Sequence, residues 1–250
     1  MADKIILEIR AGAGGEEAAI FAADLSRAYQ KFALNKGWHF AILDYHQTSL
    51  NGYKTLVAEV SGEGVYEALK FESGVHRVQR IPKTEKAGRV HTSTISVAVL
   101  PEVEPTQVKI NPQDLEVSFF RSSGPGGQNV NKVETAVRVV HKPSGLVVAS
   151  QVGRSQAANR EQAMSVLRAK LFEFKQNEER EKLGAIRKEQ IGSAERSEKI
   201  RTYNFPQDRI TDHRIGKKWH NIESIMEGNL EPIVKSFQKN NDMGEIKDNG

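Results

Sequence analysis

The chain has 250 residues, of which 27% are charged and 38% are hydrophobic, and its formal net charge is +4. This composition is typical of folded globular domains, and the absence of cysteine excludes a disulfide framework or a thiolate metal site. No apolar run is long enough to cross a bilayer and no apolar signal segment follows Met1, so we expect a cytoplasmic protein with no membrane partner. The mild basicity allows a nucleic-acid partner without requiring one.

The first region of the chain mixes strand and helix patterns. Residues 4–10 combine Ile and Leu with polar residues in the alternation of a strand. Glu16 and Glu17 predict the start of a helix, because carboxylates stabilise its positive end, and Gly37 predicts its stop. The predicted buried stripe of this helix is Ala18, Phe21, Leu25, Ala28, Tyr29 and Phe32. Further strands are predicted at 39–43, 54–60, 77–80 and 94–99, and a short helix at 65–71.

The second half of the chain begins with a polar linker at 101–111. A strand at 115–121 then leads into a Gly-rich segment, and strands at 136–141 and 146–151 predict a hairpin. Residues 161–189 predict a long charged helix of ~40 Å, since each helical residue rises by about 1.5 Å. Beyond a polar hinge at 192–201, the apolar residues Tyr203, Phe205 and Ile210 need a partner face. We expect them to pack on the first region, followed by a final helix at 222–237.

These elements predict an α+β protein with several domains. A mixed-sheet domain at 1–105 packs with a C-terminal domain at 195–240. A separate small α/β domain at 112–190 carries the Gly-rich segment and the long helix. Residues 241–250 are predicted to be a disordered tail, because they are polar and terminal.

The Gly-rich segment reads Ser-Ser-Gly-Pro-Gly-Gly-Gln-Asn-Val-Asn-Lys over residues 122–132. Glycine allows the backbone to approach a ligand closely, and bare N–H groups beside one amide suit a site that holds an oxyanion or orients a water. Gln128 does not titrate near neutral pH and is therefore unsuited to general acid–base catalysis. On three residues alone, an ordinary Gly-rich turn is the simpler interpretation.

A second segment, residues 74–93, combines Arg, Lys, Thr and His between two predicted strands. Unstacked RNA bases are recognised by stacking on rings and by hydrogen bonds to base edges. Thr84 and Thr92 can donate or accept such bonds, and His91 can stack. From chemistry alone, a basic hairpin loop with ordinary, partly buried histidines at 76 and 91 is the favoured interpretation.

The longer Gly-rich string resembles the catalytic loop of bacterial and organellar peptide chain release factors. Pro82-Lys83-Thr84 is similar to the Pro-x-Thr tripeptide of the release factor 1 branch, which reads UAA and UAG, whereas the sister branch carries Ser-Pro-Phe. Residues 201–207 and 212–214 also resemble the last domain of this family, so the similarity covers nearly the whole chain. The family usually begins with a further helical domain, for which we expect no counterpart in this chain.

The resemblance implies a role for each matching residue. Gly126, Gly127 and Gln128 would be catalytic: the Gln128 N–H would stabilise the transition state or leaving group, and its side chain, often N-methylated in the family, would restrict the nucleophile to water. Gly14 and Glu17 would read the first uridine. The remaining codon-recognition residues would be Gln79, Pro82, Lys83, Thr84, His91 and Thr92, with Thr84 at the first two bases, His91 stacked beside the second, and Gln79 and Thr92 at the third.

The implied partners are ribosomal RNA of the decoding and peptidyl transferase centres, the mRNA stop codon, peptidyl-tRNA and a glutamine methyltransferase. The protein would be a monomer without cofactor or metal. It would promote ester hydrolysis only together with the ribosome and would not be a stand-alone hydrolase.

Other functions remain open from the residues. A serine hydrolase is disfavoured because no nucleophile-elbow pattern surrounds Ser122 and Ser123, and a metal hydrolase because His141, His213 and His220 are scattered among polar residues. A ribosome-rescue hydrolase that ignores the codon would not need the Pro-Lys-Thr segment. A non-catalytic RNA-binding protein would not need the Gly-Gly-Gln triplet.

Overall fold

The computed structural model describes residues 3–82, 85, 87–102, 110–121, 134–192 and 197–242, with side chains through residue 239. Across these ranges the chain forms eleven strands and five α-helices. None of the described helices combines the length and the apolar character needed to cross a membrane.

The strands and helices have the following bounds. The strands are β1 (Lys4–Ala11), β2 (His39–Gln47), β3 (Tyr53–Ser61), β4 (Gly74–Arg80), β5 (His91–Pro101), β6 (Leu115–Phe120), β7 (Ala136–His141), β8 (Leu146–Ser150), β9 (Lys199–Asn204), β10 (Arg209–Asp212) and β11 (Lys218–His220). The helices are α1 (Glu16–Asn35), α2 (Val65–Leu69), α3 (Gln156–Ile191), α4 (Ile222–Met226) and α5 (Glu231–Asp242).

The chain divides into two compact units. The first comprises Met1–Val103 and Leu183–Gly250, and the second comprises Glu104–Lys182. The α+β, multidomain class predicted from the sequence is confirmed. The boundaries differ from those we predicted: the segment at 195–240 shares one sheet with the first region, and α3 from Leu183 onward belongs to the first unit, not to a domain at 112–190.

The first unit is built on an eight-stranded mixed sheet in the order β11-β10-β9-β4-β5-β1-β3-β2. Only β4 and β9 pair in parallel, and the other neighbours are antiparallel. The predicted stripe of α1 is buried as expected, and it packs in one core with alternate residues of β1, β3 and β5. The C-terminal residues Tyr203, Ile210 and Trp219 enter the same core, which satisfies their need for an apolar partner.

The C-terminal helix prediction is wrong in one respect. Residues 222–237 form two helices, α4 and α5, separated at Gly228. Gly228 has φ of 99°, and a Cβ added there would lie 2.6 Å from Cβ of Lys31 on α1. The close approach of α1 therefore requires glycine and interrupts the helix. The predicted tail at 241–250 also begins inside α5, which ends at Asp242, and residues 243–250 lie outside the described part of the chain.

A buried charge cluster joins β9 and β10 to the segment after α2. Arg201, which we placed in a polar hinge, is fully buried in β9. Its Nη1 lies 2.6 Å from Oε2 of Glu72, and its Nε lies 3.1 Å from Oδ2 of Asp212. Although burial opposes ionisation, Arg201 holds the pKa of both Glu72 and Asp212 below their ordinary values, with Arg214 also acting on Asp212. Both carboxylates are therefore charged at neutral pH.

His76 lies in the same buried cluster. Its Nε2 is 2.8 Å from the backbone carbonyl of Glu72, so this nitrogen donates, and its Nδ1 is 3.3 Å from the hydroxyl of Tyr203, from which it accepts. Burial, followed by the charge of Arg201, lowers the pKa of His76 to about 4. The imidazole is therefore neutral, and its two hydrogen bonds hold it in the tautomer with the proton on Nε2.

The second unit is small and has its own core. Its antiparallel sheet has the order β6-β7-β8 and packs against the N-terminal half of α3. Among the apolar residues of α3, Ala163, Leu167 and Leu171 are buried, whereas Val166 and Phe174 are exposed. A three-stranded sheet covers only a narrow strip of the helix surface. The buried residues of α3 are therefore those that follow one another at intervals of four along this strip.

We predict that Arg201→Met destabilises the first unit by about 3–5 kcal/mol, because Glu72 would remain charged and buried without its ion-pair partner and Asp212 would keep only Arg214. Urea unfolding followed by tryptophan fluorescence measures this unit alone, since both tryptophans, Trp38 and Trp219, belong to it. The exposed Arg27, paired with Asp24 on the surface, provides the control variant Arg27→Met, for which we expect a loss below about 1 kcal/mol. Equal losses for the two variants would contradict the role of the cluster.

We also predict that the first unit loses stability between pH 6.5 and pH 5. In this window the unfolded chain protonates His76, whereas the native imidazole stays neutral until about pH 4. The unfolded state therefore binds more protons, and its stabilisation lowers the free energy of unfolding by about 2 kcal/mol at pH 5. Glu72 and Asp212 have lowered pKa values, so they contribute only at more acidic pH.

The variant His76→Gln should lose most of this pH dependence. His213, which is exposed and whose pKa is also lowered, provides the control His213→Gln, which should retain most of it. The free energy of unfolding at pH 7.5 and pH 5.0 is the measurement. An unchanged slope in His76→Gln would show that His76 is not the titrating group.

Candidate nucleic-acid interface

Several predicted site residues lie outside the described part of the chain. These are the catalytic triplet Gly126, Gly127 and Gln128, within residues 122–133, and the tripeptide members Lys83 and Thr84. The structure describes the other predicted residues, all of which belong to the first unit: Gly14, Glu17, Gln79, Pro82, His91 and Thr92.

The loop before α1 is fixed against the start of β5. The N–H of Ala13 donates to Oγ1 of Thr94 at 3.0 Å, and the N–H of Thr94 donates to the carbonyl of Ala13 at 2.7 Å. Gly14 has φ of 129°, and an added Cβ would lie 2.2 Å from Oγ of Ser93. Only glycine fits this approach, so the tip of α1 lies directly beside β5.

The first turn of α1 has no side-chain cap. Gly15 is the N-cap residue and offers no side-chain acceptor for the backbone N–H groups of this turn. These N–H groups carry the positive end of the helix dipole and suit a carbonyl or other acceptor. The sequence had predicted this arrangement only from Glu16 and Glu17.

Glu17 has a structural partner. Its Oε1 accepts from Nε of Arg80 at 2.5 Å, while Nη1 of Arg80 donates to Oδ2 of Asp24 at 2.8 Å. The guanidinium also lies between the rings of Phe21 and Phe205, at 5.8 and 5.3 Å from their centroids. Oε2 of Glu17 and Nη2 of Arg80 have no protein partner. Sequence reasoning missed Arg80, which joins the end of β4 to α1.

Gln79 and Thr92 are directly opposite one another. They form a pair in the antiparallel register of β4 and β5, and both are half-buried. Directly opposed residues have Cβ atoms about 4.5–5.5 Å apart. On the other side of β4, Oε1 of Gln79 accepts from Nδ2 of Asn204 at 3.4 Å. The sheet therefore presents an amide and a hydroxyl together, two groups that can each donate or accept.

His91 lies at the start of β5, opposite Arg80. Its Nε2 is 2.7 Å from Oε2 of Glu85, and its side chain is 48% exposed. Glu85 also accepts from the N–H of Ala87 at 2.7 Å, and its own N–H donates to the carbonyl of buried Pro82 at 3.0 Å. Glu85 thus connects Pro82 and Ala87 and positions the His91 ring, a role that the sequence alone did not indicate.

In the second unit, Asn159 fixes the chain that follows the Gly-rich segment. This fully buried amide donates to the carbonyls of Thr135 and Gly153 at 2.8 and 3.0 Å. It also accepts from the N–H of Gly153 at 2.7 Å. Gln156 donates to the carbonyl of Glu134 at 2.6 Å. The first turn of α3 therefore holds residues 134 and 135, immediately after the Gly-rich segment.

The site in the first unit is suited to recognition rather than to acid–base chemistry. It combines an uncapped helix start, an amide–hydroxyl pair and a half-exposed imidazole beside a carboxylate. Neutral groups that can donate and accept are the usual means of reading base edges.

Comparison with known proteins identifies the family. A model described as the PCRF domain matches residues 2–97, and one described as the RF-1 domain matches residues 102–214. Peptide chain release factor 1 of Aquifex aeolicus is 55% identical over 234 residues, which cover 94% of this chain and 65% of that protein. The same factor of Thermoanaerobacter pseudethanolicus is 51% identical over 243 residues, covering 97% and 68% of the two chains.

A solved structure gives the same result. RF2 of Thermus thermophilus matches with a TM-score of 0.56 and 38% identity, covering 93% of this chain and 66% of that chain. The present chain thus spans about 65% of the length of the Aquifex relative. Taken together, the two domain matches and these identities show that the chain belongs to the peptide chain release factor 1 family.

Proposed function

We propose that this chain acts in translation termination. It recognises UAA and UAG in the ribosomal A site and triggers hydrolysis of the peptidyl-tRNA ester in the peptidyl transferase centre. The observation that carries the proposal is the register of β4 and β5, which sets Gln79 opposite Thr92 beside the tip of α1, in a chain of this family. Because the chain spans part of the length of its relatives, the proposal concerns the two units described here.

The first uridine is read at the start of α1. One carboxylate oxygen of Glu17 accepts from Arg80 and the other is buried, so we assign this contact to the backbone at Gly14 and to the uncapped N–H groups of the first turn. A uracil carbonyl is a suitable acceptor for such donors. Gly14 leaves the backbone of this loop accessible to the base, because glycine has no side chain to place between the loop and β5.

The other two bases are read by side chains of the β4–β5 region. Thr84 contacts the first two bases together with its neighbours Pro82 and Lys83, and the His91 ring stacks beside the second base. At the third position, the amide of Gln79 and the hydroxyl of Thr92 can each donate or accept. This adaptability explains acceptance of either adenine or guanine, since adenine presents an amino donor where guanine presents a carbonyl acceptor.

Peptide release takes place at the Gly-rich segment. Water adds to the ester carbonyl, the bond to the tRNA ribose oxygen breaks, and that oxygen gains a proton. The backbone N–H of Gln128 stabilises the negative charge that develops, while Gly126 and Gly127 permit the required backbone conformation. The Gln128 side chain, a substrate for N-methylation by a glutamine methyltransferase, restricts the nucleophile to water. Ribosomal RNA supplies the remainder of the site, so the free protein is nearly inactive.

The proposed partners follow from this role. They are the RNA of the decoding and peptidyl transferase centres, the mRNA stop codon and peptidyl-tRNA. The chain acts in the cytoplasm, as a monomer and without a cofactor.

We expect Gln128→Pro to abolish peptide release and Gln128→Ala to retain a measurable rate. Proline removes the backbone donor, and loss of one such donor costs about 100-fold to 1,000-fold in rate, whereas alanine keeps the N–H. Release of labelled peptide from ribosomal complexes with UAA in the A site is the measurement. Codon-dependent binding should persist in both variants. A proline variant as fast as the parent would contradict the backbone mechanism.

We expect Thr84→Ala to raise the apparent KM for release on UAA about 5-fold to 100-fold, with a smaller effect on the maximal rate. Loss of one base hydrogen bond costs about 1–3 kcal/mol, and it affects recognition rather than hydrolysis. Thr55 on β3, four strands from β9 in the sheet order, provides the control Thr55→Ala, which should behave as the parent. Efficient release on UGA by the parent chain would contradict the proposed codon specificity.

A further inference from the structure

The polar face of the eight-stranded sheet carries two continuous rows of side chains. The strand registers place five residues in one row, from β5 across to β11: Thr92, Gln79, Asn204, Arg209 and His220. The neighbouring row consists of Arg77, Thr202, Thr211 and Lys218. Alternate residues on the same strands, such as Val78, Tyr203 and Ile210, are buried in the core, so these rows lie on the opposite face.

The charge along these two rows has one sign. Among the nine residues of the two rows, Arg77, Arg209 and Lys218 are positive, and none is a carboxylate. Asp208 borders Arg209, but its two oxygens accept from the N–H groups of Asn221 and Ile222 at 3.0 and 2.8 Å. We call Arg77, Arg209 and Lys218, together with His213 and His220, the basic face.

The side chains of the basic face supply hydrogen-bond donors that suit the oxygen acceptors of a ligand. Nε of Arg77 donates to Oγ1 of Thr202 at 3.2 Å, and the same hydroxyl lies 2.8 Å from Nε2 of His213. Nε of Arg209 is buried and has no protein acceptor. Burial, followed by the charges of Lys199 and Arg77, lowers the pKa of His213, which indicates a positive potential at this surface.

We infer that the basic face binds the phosphates of an RNA strand that continues from the nucleotide read by Gln79 and Thr92. The inference rests on the proposed function for the identity of that nucleotide. Gln79 and Thr92 form one end of the longer row, and four strand spacings of about 4.8 Å give this row a length of ~19 Å. An RNA strand leaving the third codon position can therefore follow the row across β9, β10 and β11.

The composition of the rows favours RNA over an acidic protein. Arg and Lys beside Thr, Asn and Gln are the side chains that contact phosphate and sugar oxygens. The buried centre of a protein–protein interface is instead enriched in Tyr, Trp, Phe and Met as well as Arg, and of these residue types the rows contain only Arg.

The test compares two triple variants with equal loss of charge. Arg77→Gln/Arg209→Gln/Lys218→Gln removes the positive charges of the basic face. Lys31→Gln/Lys36→Gln/Lys235→Gln removes three charges that pair with Glu227 or Glu231 near α1 and α5. Binding to a labelled 20-nucleotide uridine RNA and to ribosomal complexes carrying UAA is measured at several KCl concentrations.

Each phosphate contact to a single strand contributes about 0.7 to the slope of log affinity against log salt. We therefore expect the basic-face variant to lose about 2 from this slope with the RNA and to bind ribosomes more weakly, while the control variant keeps the parent slope. Equal slopes for the two variants would overturn the proposal. Competition by poly-glutamate as effective as that by RNA of equal charge would also overturn it, in favour of an acidic protein partner.

One further variant, and the independence of RNA binding from peptide release, make each outcome interpretable. If the triple variant does not fold, Lys218→Gln, at an exposed position, should lower the slope by about 0.7. The RNA measurement does not depend on peptide release. A chain that binds RNA through this face but releases no peptide would contradict the proposed function alone, and one that releases peptide with unchanged slopes would contradict the RNA face alone.

Discussion

The first unit depends on the buried pairing of Arg201 with Glu72 and Asp212. Arg201 lies on β9, Asp212 ends the neighbouring strand β10, and Glu72 precedes β4, so one guanidinium connects the β9–β10 pair to a segment 129 residues earlier in the sequence. Removing such charges from water is costly, and a well-packed apolar core of equal volume is often as stable. We therefore interpret the cluster as a device that selects one register, since only one placement of β9 beside β4 pairs all three charges.

That register determines the candidate site. The parallel pairing of β4 with β9 places Asn204 beside Gln79, and the antiparallel pairing of β4 with β5 places Thr92 on the other side. At the end of β4, Arg80 binds Glu17 and Asp24. These ion pairs attach the end of β4, next to Gln79, to α1. A chain of contacts thus runs from the buried charges to the residues proposed to read the codon.

The two faces of this sheet have different roles, one in stability and the other in the proposed recognition. One face packs with α1, α2, α4 and α5 in a single apolar core, whereas the other presents hydroxyl, amide and positively charged groups. Because successive residues of a strand point to opposite faces, substitutions on the polar face can alter the proposed RNA contacts with little effect on the core. In the second unit, the hydrogen bonds of buried Asn159 satisfy its own polar atoms and also hold residues next to the Gly-rich segment in place.

Much of the local structure was predictable from the sequence. The strand alternation, the stripe of α1, the hairpin of β7 and β8 and the long α3 follow from short-range periodicity and turn residues, and the family follows from contiguous motifs. The break at Gly228 was missed because it arises from the approach of α1, and Arg201 was placed in a hinge because its polar neighbours resemble a linker. Gly228 and Pro232 are local signals for such a break, whereas nothing near Arg201 indicates its burial.

The sequence by itself determined which residues were candidates for recognition and catalysis, since each belongs to a contiguous motif. Only the tertiary structure decided which of them meet. It placed Gln79 opposite Thr92, paired Glu17 with Arg80, and aligned Arg209 with Gln79 and Thr92 across separate strands. The physical reason is that strand order and register are set by long-range pairing and by the buried charges around Arg201, which no local pattern specifies.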